Sequence, residues 1–291
     1  MTDINALPVR PSRLSAFLAW LGGDMRAALT LGYLVLLLLM VVLAPVLAPY
    51  SPTDQDFTAV LQPPSAAHLL GTDDIGRDIL SRLIYAAPVS LYASVLAVTI
   101  ATLIGAPLGL LAGFLGGWVD AVISRLIDTL LSFPGIVLAI GVTGALGIGV
   151  THGMVAVGLV FSPIMARLAR AQTLVVKNEL YVDAARSFGA STARLLRKHI
   201  LPNAVQPLIV QITLLLAAAL LAEASLSFLG LGVQAPQPSW GGMLARAYIY
   251  MDIAPAQMYA PGIAILLTAL AFNALGESLR VYLDPTMKMR G

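Results

Sequence analysis

The sequence predicts an all-α membrane protein with six transmembrane helices. Hydrophobic residues make up 58% of the 291-residue chain and charged residues only 11%, and the mean hydropathy is +0.87, outside the range of a soluble domain. Apolar runs long enough to cross about 30 Å of hydrocarbon fall at 28–48, 89–113, 126–147, 153–175, 205–226 and 259–279. With the amino terminus inside, fourteen Lys and Arg lie on the inner side and three, Arg77, Arg82 and Arg246, outside, and this asymmetry orients the bundle. A net charge of +2 spread beside membrane segments speaks for orientation, not for nucleic acid. The chain has no cysteine, which excludes disulfides, thiolate metal sites and cysteine nucleophiles.

In chain order, residues 1–27 form a cytoplasmic tail. Leu14, Phe17, Leu18, Trp20 and Leu21 suggest a short interfacial helix, with a disordered tail as the alternative. The first span, 28–48, follows Arg10 and Arg13 but outruns a signal-peptide core, and Pro49 follows its one small-residue cleavage site, so it reads as an uncleaved anchor. The extracytoplasmic loop, 49–88, is broken by Pro49, Pro52, Pro63 and Pro64. In it Thr72 is placed to cap a helix with Asp73 and Asp74 in its first turn. Gly71 and Gly76 imitate the spacing of a phosphate-binding loop, but Arg77 and Asp78 stand where Lys and Ser or Thr are needed. No nucleotide site follows.

The remaining five spans form a core at 89–279. In the second span Gly105, Gly109, Gly113 and Gly117 recur at four-residue steps and predict a close helix contact, while Pro107 predicts a kink. Arg125 and Asp128 are spaced to pair on one helix face. Arg167 and Arg170 end the fourth span, where anionic lipid or the helix carboxyl end satisfies them.

Between the fourth and fifth spans lies YVDAARSFGASTARLLRKHILPN, Tyr181 to Asn203. At about 100° per residue, Leu180, Tyr181, Ala184, Ala185 and Phe188 share one stripe of a helix, with Glu179, Asp183, Arg186 and Ser187 opposite. Gly189 supplies a positive-φ helix end, Ser191 can cap a second helix, and Pro202 stops it. In that helix Leu195 and Leu196 face away from Arg194, Arg197 and Lys198. The alternative is a solvated loop with chance amphipathicity.

Glu223, near the outer end of the fifth span, either contacts a substrate amino group or orients the loop that follows, the second being favoured. It and Gln211 of the same span are the candidate pathway residues. Leu226 to Trp240 mixes Gly, Pro and aromatics and reads as a re-entrant or surface-lying stretch. Glu277 and Arg280 form an interfacial pair before the cytoplasmic tail, 280–291.

Asp183, Ala184, Ala185 and Gly189, followed by His199, Ile200, Leu201, Pro202 and Asn203, resemble the EAA loop of the membrane subunits of binding-protein-dependent ABC importers. Asp183 replaces that loop's commonest Glu and keeps its charge. HLLGTDDIGRDILSRLIYAAPVSL, His68 to Leu91, and LSFLGLGVQAPQPSW, Leu226 to Trp240, resemble the second permease subunit of dipeptide, oligopeptide and nickel importers. The matching stretches cover residues 68 to 285.

The resemblance implies a type I ABC importer permease fold with a cytoplasmic coupling helix between helices 4 and 5. Its ATPase contacts would be Tyr181, Asp183, Ala184, Ala185, Arg186, Phe188, Gly189, Ala190, Arg194 and Leu195. It also implies a heterodimer with a related permease, two ATP-binding subunits or one fused pair, and an extracytoplasmic substrate-binding protein. The expected site is the bacterial cytoplasmic membrane with both termini inside. No catalytic residue, cofactor or metal is expected in this chain, ATP and Mg belonging to the partners. Dipeptides or oligopeptides are the implied cargo, with nickel chelates, haem or another small solute as the alternative. A secondary transporter would need ion-coupling carboxylates or broken inverted-repeat helices at mid-membrane depth, and neither is evident. A membrane scaffold that only recruits a cytoplasmic protein is the other rival.

Overall fold

A computed structural model describes residues 22–283; the predicted interfacial helix and most of the carboxyl-terminal tail lie outside them. The described residues form helices α1 (Met25–Val42), α2 (Ala44–Leu47), α3 (Ile79–Leu115), α4 (Gly117–Leu131), α5 (Gly135–Leu146), α6 (Val150–Lys177), α7 (Leu180–Ser187), α8 (Thr192–Leu195), a π-helical turn (Leu196–Ile200), α9 (Leu201–Phe228), α10 (Trp240–Ile249) and α11 (Ala256–Leu283). Five of these stretches are long and apolar enough to cross a membrane: α1, α3, α6, Thr192–Phe228 and α11.

The predicted third span is not one straight helix. α4 and α5 meet at a 93° bend where Ser132, Phe133 and Pro134 interrupt them, because Pro134 has no N–H to continue α4 and disfavours helical backbone in Phe133. The second span is longer than its hydropathy. α3 starts at Ile79, with Asp78 as its cap accepting from Ser81 N and Ser81 Oγ, both at 2.7 Å. Ten residues assigned to the loop are therefore helical.

Thr72 does not cap that helix. It is buried and faces Asp78 across an isolated antiparallel bridge, and its hydroxyl accepts from Gln62 N at 3.0 Å and donates to the Ala59 carbonyl. Asp73 and Asp74 likewise lie ahead of the helix, where Asp73 accepts from Ile75 N, Arg77 N and Arg77 Nε. The segment between α2 and α3 is thus held by its own polar groups. Gln257 at the start of α11 ties it down further, donating to Thr72 O at 2.8 Å.

α3 and α6 share the most extensive contact of the bundle. A Cβ on Gly105, Gly109 or Gly113 would collide with the backbone of Ser162, Ala166 or Arg170, and one on Gly158 with Ala97 and Ile100. The glycine seam is therefore real for three of its four positions. Gly117 does not join it: it opens α4 with φ +55° and has open space around it. Pro107 leaves α3 as one continuous helix. α9 crosses both members of this pair and also packs on α11, which holds α1 through a hydrogen bond between Tyr33 OH and Thr268 Oγ1 at 2.9 Å.

The polar pairing of α4 and α6 departs from the local expectation. Asp128 pairs with Arg167 at 2.8 Å instead of with Arg125, and Arg170 pairs with Asp120. Neither arginine relies on lipid or on the helix carboxyl end alone. The three-residue rule considers one helix, and two packed helices offered closer partners. Glu277 and Arg280 do approach each other, at 3.9 Å, on an exposed face, where such a pair contributes about 0–1 kcal/mol.

Candidate functional site

The segment from Leu180 to Ile200 is an elbow at the end of the bundle where α3 and α6 finish and α9 begins. Glu179 enters α7 in extended conformation, and the helix closes in a Schellman motif: Ala190 N donates to Ala185 O at 3.1 Å and Gly189 N to Arg186 O at 2.9 Å. Gly189 has φ +76°, a backbone that only glycine adopts without cost. Ser191 starts α8 in extended conformation, with no side-chain capping bond. Pro202 does not end the second helix. It lies in the first turn of α9, where its missing N–H costs little, so the chain runs helically from Thr192 through the π turn to Phe228.

What anchors the elbow is Val182, which lies off the apolar stripe. Val182, Val176, Leu195, Ile200 and Ala204 are buried together, with Leu110 and Phe114 of α3 against them. Lys177 Nζ locks the same corner by donating to Phe114 O at 2.7 Å. Leu195 is 3% exposed; of the ten residues named for partner contact it is the one that is fully buried, and Ala185 and Ala190 pack against the same cluster. Leu196 is partly buried beside it, while Arg194, Arg197 and Lys198 are exposed, as the second helix's pattern predicted.

With Val182 facing inward, the predicted apolar stripe is the free side of α7. Leu180 is 87% and Phe188 92% exposed, Tyr181 and Ala184 are exposed, and Ala185 and Ala190 are half-buried. Asp183 and Arg186 pair at 3.1 Å on the surface. Tyr181 rests against His199, ring centroids 6.4 Å apart. Partial burial, and then the Glu179 charge, push the pKa of its phenol up from the ordinary value. Leu180 and Phe188 thus stand almost wholly exposed on a Gly-terminated helix that is pinned from its other side.

The two candidate pathway residues are not brought together. Glu223 is 1% exposed; it accepts from Ser227 Oγ at 2.7 Å and from Ser90 Oγ at 3.4 Å. Ser90 Oγ in turn accepts from Trp240 N at 3.1 Å. The carboxylate thus joins α3, α9 and the start of α10. Trp240, 1% exposed, donates through Nε1 to Leu83 O at 3.1 Å and plugs the end of the predicted re-entrant stretch. Gln211, three turns nearer the elbow, lines a separate cavity of about 430 Å³ with Gln206, Pro207, Leu168 and Arg280.

Residues 105–289 match the family described as binding-protein-dependent transport system inner membrane component, and residues 25–64 match the amino-terminal transmembrane domain of oligopeptide transport permease C. The chain belongs to the binding-protein-dependent transport permeases. It is 44% identical over 282 residues to the probable D,D-dipeptide transport system permease protein DdpC of Escherichia coli K12, covering 95% of each chain. To the glutathione transport system permease protein GsiD of Salmonella typhimurium it is 47% identical over 258 residues, 88% of this permease and 85% of that one. A putative peptide transport system permease of Brucella abortus is 43% identical over 261 residues, 88% of each. The permease also shares its fold with an inward-facing MetNI methionine ABC transporter, at TM-score 0.60 and 18% identity, over 71% of this chain and 98% of that one. It is a membrane component of an ABC importer.

Proposed function

We propose that this permease is the second of two membrane subunits of an importer that passes dipeptides or oligopeptides across the bacterial cytoplasmic membrane. The observation that carries the reading is similarity over nearly the whole chain to permeases whose names specify peptides, a D,D-dipeptide or glutathione. The amino-terminal match to oligopeptide permease C supports the choice of subunit. Taking the bent α4–α5 pair as one span supports a six-span reading with the elbow between the fourth and fifth, and the fourteen-to-three charge count favours a cytosolic elbow.

In this reading the elbow is the handle by which ATPases move the bundle. Leu180, Tyr181, Ala184 and Phe188 seat in a groove of an ATP-binding subunit, Asp183, Arg186 and Arg194 flank them, and Val182 and Leu195 transmit the motion through their packing on α3, α6 and α9. A related permease completes the pathway, a separate binding protein delivers substrate, and ATP and Mg are held by the partner ATPases. The bundle needs two arrangements close in free energy, and the partners bias them through different contacts in each. Co-expression with candidate partners and purification in mild detergent tests this: ATP-binding subunits co-purify in fixed stoichiometry, and reconstituted vesicles take up peptide only with ATP and binding protein. A chain that purifies alone, or transports without ATP, contradicts it.

A further inference from the structure

Arg77, Arg82 and Arg246 are the three cations that the charge count leaves on the outer side, and the fold gathers all three at one cleft. Arg77 lies in the turn before α3, Arg82 in its first turn and Arg246 on α10, so no sequence spacing announces the cluster. The cleft has a volume of about 210 Å³ and is lined by the three arginines together with Ser227, Gln234 and Ser239, and by no acidic side chain. The carboxylates stand behind it. Arg77 Nε donates to Asp73 Oδ2 at 2.7 Å, Arg82 Nε lies 3.5 Å from the same oxygen, and Arg246 Nε lies 3.3 Å from Asp74 Oδ2.

Three guanidinium groups thus contact two carboxylates, and a third, Glu223, stands behind Ser227 of the cleft wall. Arg77 and Arg82 are held rigidly: their side chains are 3% and 7% exposed, and Arg82 Nη1 donates to Pro52 O at 2.8 Å. Arg246 is the accessible member, its side chain 43% exposed. A concave group of arginines, two of them fixed by their own partners, with no acid in the lining suits a planar anion that accepts paired hydrogen bonds.

We propose that this cleft is a carboxylate subsite at the outer mouth, taking the carboxyl terminus of the peptide as it leaves the binding protein. The inference rests on the peptide reading above. The volume accommodates one terminal residue, and Ser227 in its wall connects it to the Glu223 network on α9. Position therefore joins the anion to the helix that continues into the elbow.

The assembled transporter with its partner subunits tests this by two measurements. In vesicles supplied with binding protein and a panel of labelled di-, tri- and pentapeptides, Arg246→Gln lowers uptake about tenfold, the scale of one charge-assisted hydrogen bond, Arg246→Lys recovers part of it, and binding-protein affinity is unchanged. In the unmodified complex, millimolar dialanine slows phenylglyoxal labelling of Arg246, read by mass spectrometry against Arg280, and dialaninamide does not. Equal labelling with the two compounds, or full uptake by Arg246→Gln, overturns the proposal. So does weakened docking of the binding protein with labelling indifferent to dialanine, which would assign the carboxylate to that protein. A wild-type complex that moves none of the peptides refutes the peptide reading, while the labelling experiment still decides the subsite.

Discussion

Arg170 grips Asp120 with both prongs of its guanidinium, Nε at 2.6 Å from Oδ1 and Nη2 at 2.7 Å from Oδ2, and so ties the first half of the bent α4–α5 pair to α6. A fork-to-fork pair fixes orientation as well as distance. It is partly exposed, so Asp120→Asn is expected to cost about 1 kcal/mol, read as a lower thermal unfolding midpoint of the purified permease. Exchanging the two residues restores part of the loss.

The glycine seam predicts a sharper effect. Gly109→Ala places a methyl group against the Ala166 carbonyl and Ala169 Cβ, so α3 and α6 must separate and forfeit the close packing that holds helices together in lipid. The expected result is loss of folded protein in detergent, measured by size-exclusion chromatography. Gly262→Ala in α11 meets nothing within 4 Å and should leave the elution profile unchanged, which makes it the control.

Glu223→Ala leaves the buried Ser227 and Ser90 hydroxyls without their acceptor, a loss of about 1–3 kcal/mol per stranded group. Glu223→Gln keeps an acceptor oxygen and should lose much less. Comparing the thermal midpoints of the two variants checks this; equal losses would show that the carboxylate charge, and not its acceptor geometry, is what the site needs.

Gly189→Val forces a β-branched residue to φ +76°, a strain of about 1–3 kcal/mol, with no clash to add to it because the surroundings are open. The variant is expected to insert and to hydrolyse ATP with its partners while uptake per ATP falls. Normal uptake with normal stimulation of ATP hydrolysis by the loaded binding protein would count against the elbow as the point of coupling.

Much of this architecture was legible because lipid demands long apolar helices, and hydropathy reads those directly. The start of α3 was hidden because Ser81 and Arg82, both buried, interrupt the apolar run and satisfy their polar groups within the loop. The break at Phe133 and Pro134 was written in the proline but outweighed by the apolar residues around it. Pairing of Asp128 with Arg167 could not be read, since it depends on which faces α4 and α6 turn to each other. The elbow shows both sides: Gly189 and the basic face of the second helix follow from local chemistry, whereas the choice of Val182 over the Leu180–Phe188 stripe as the inward face required the packing of α3 and α6.

The chain contains no cysteine, so a single Phe188→Cys substitution gives a unique thiol on the exposed stripe. Its reaction with a membrane-impermeant maleimide is the most direct measurement of the elbow's place and partner. The account predicts no labelling in intact cells, labelling in inverted membrane vesicles stripped of ATPases, and protection once the ATP-binding subunits are restored. Labelling from outside intact cells, or equal labelling with and without the assembled ATPases, would contradict it.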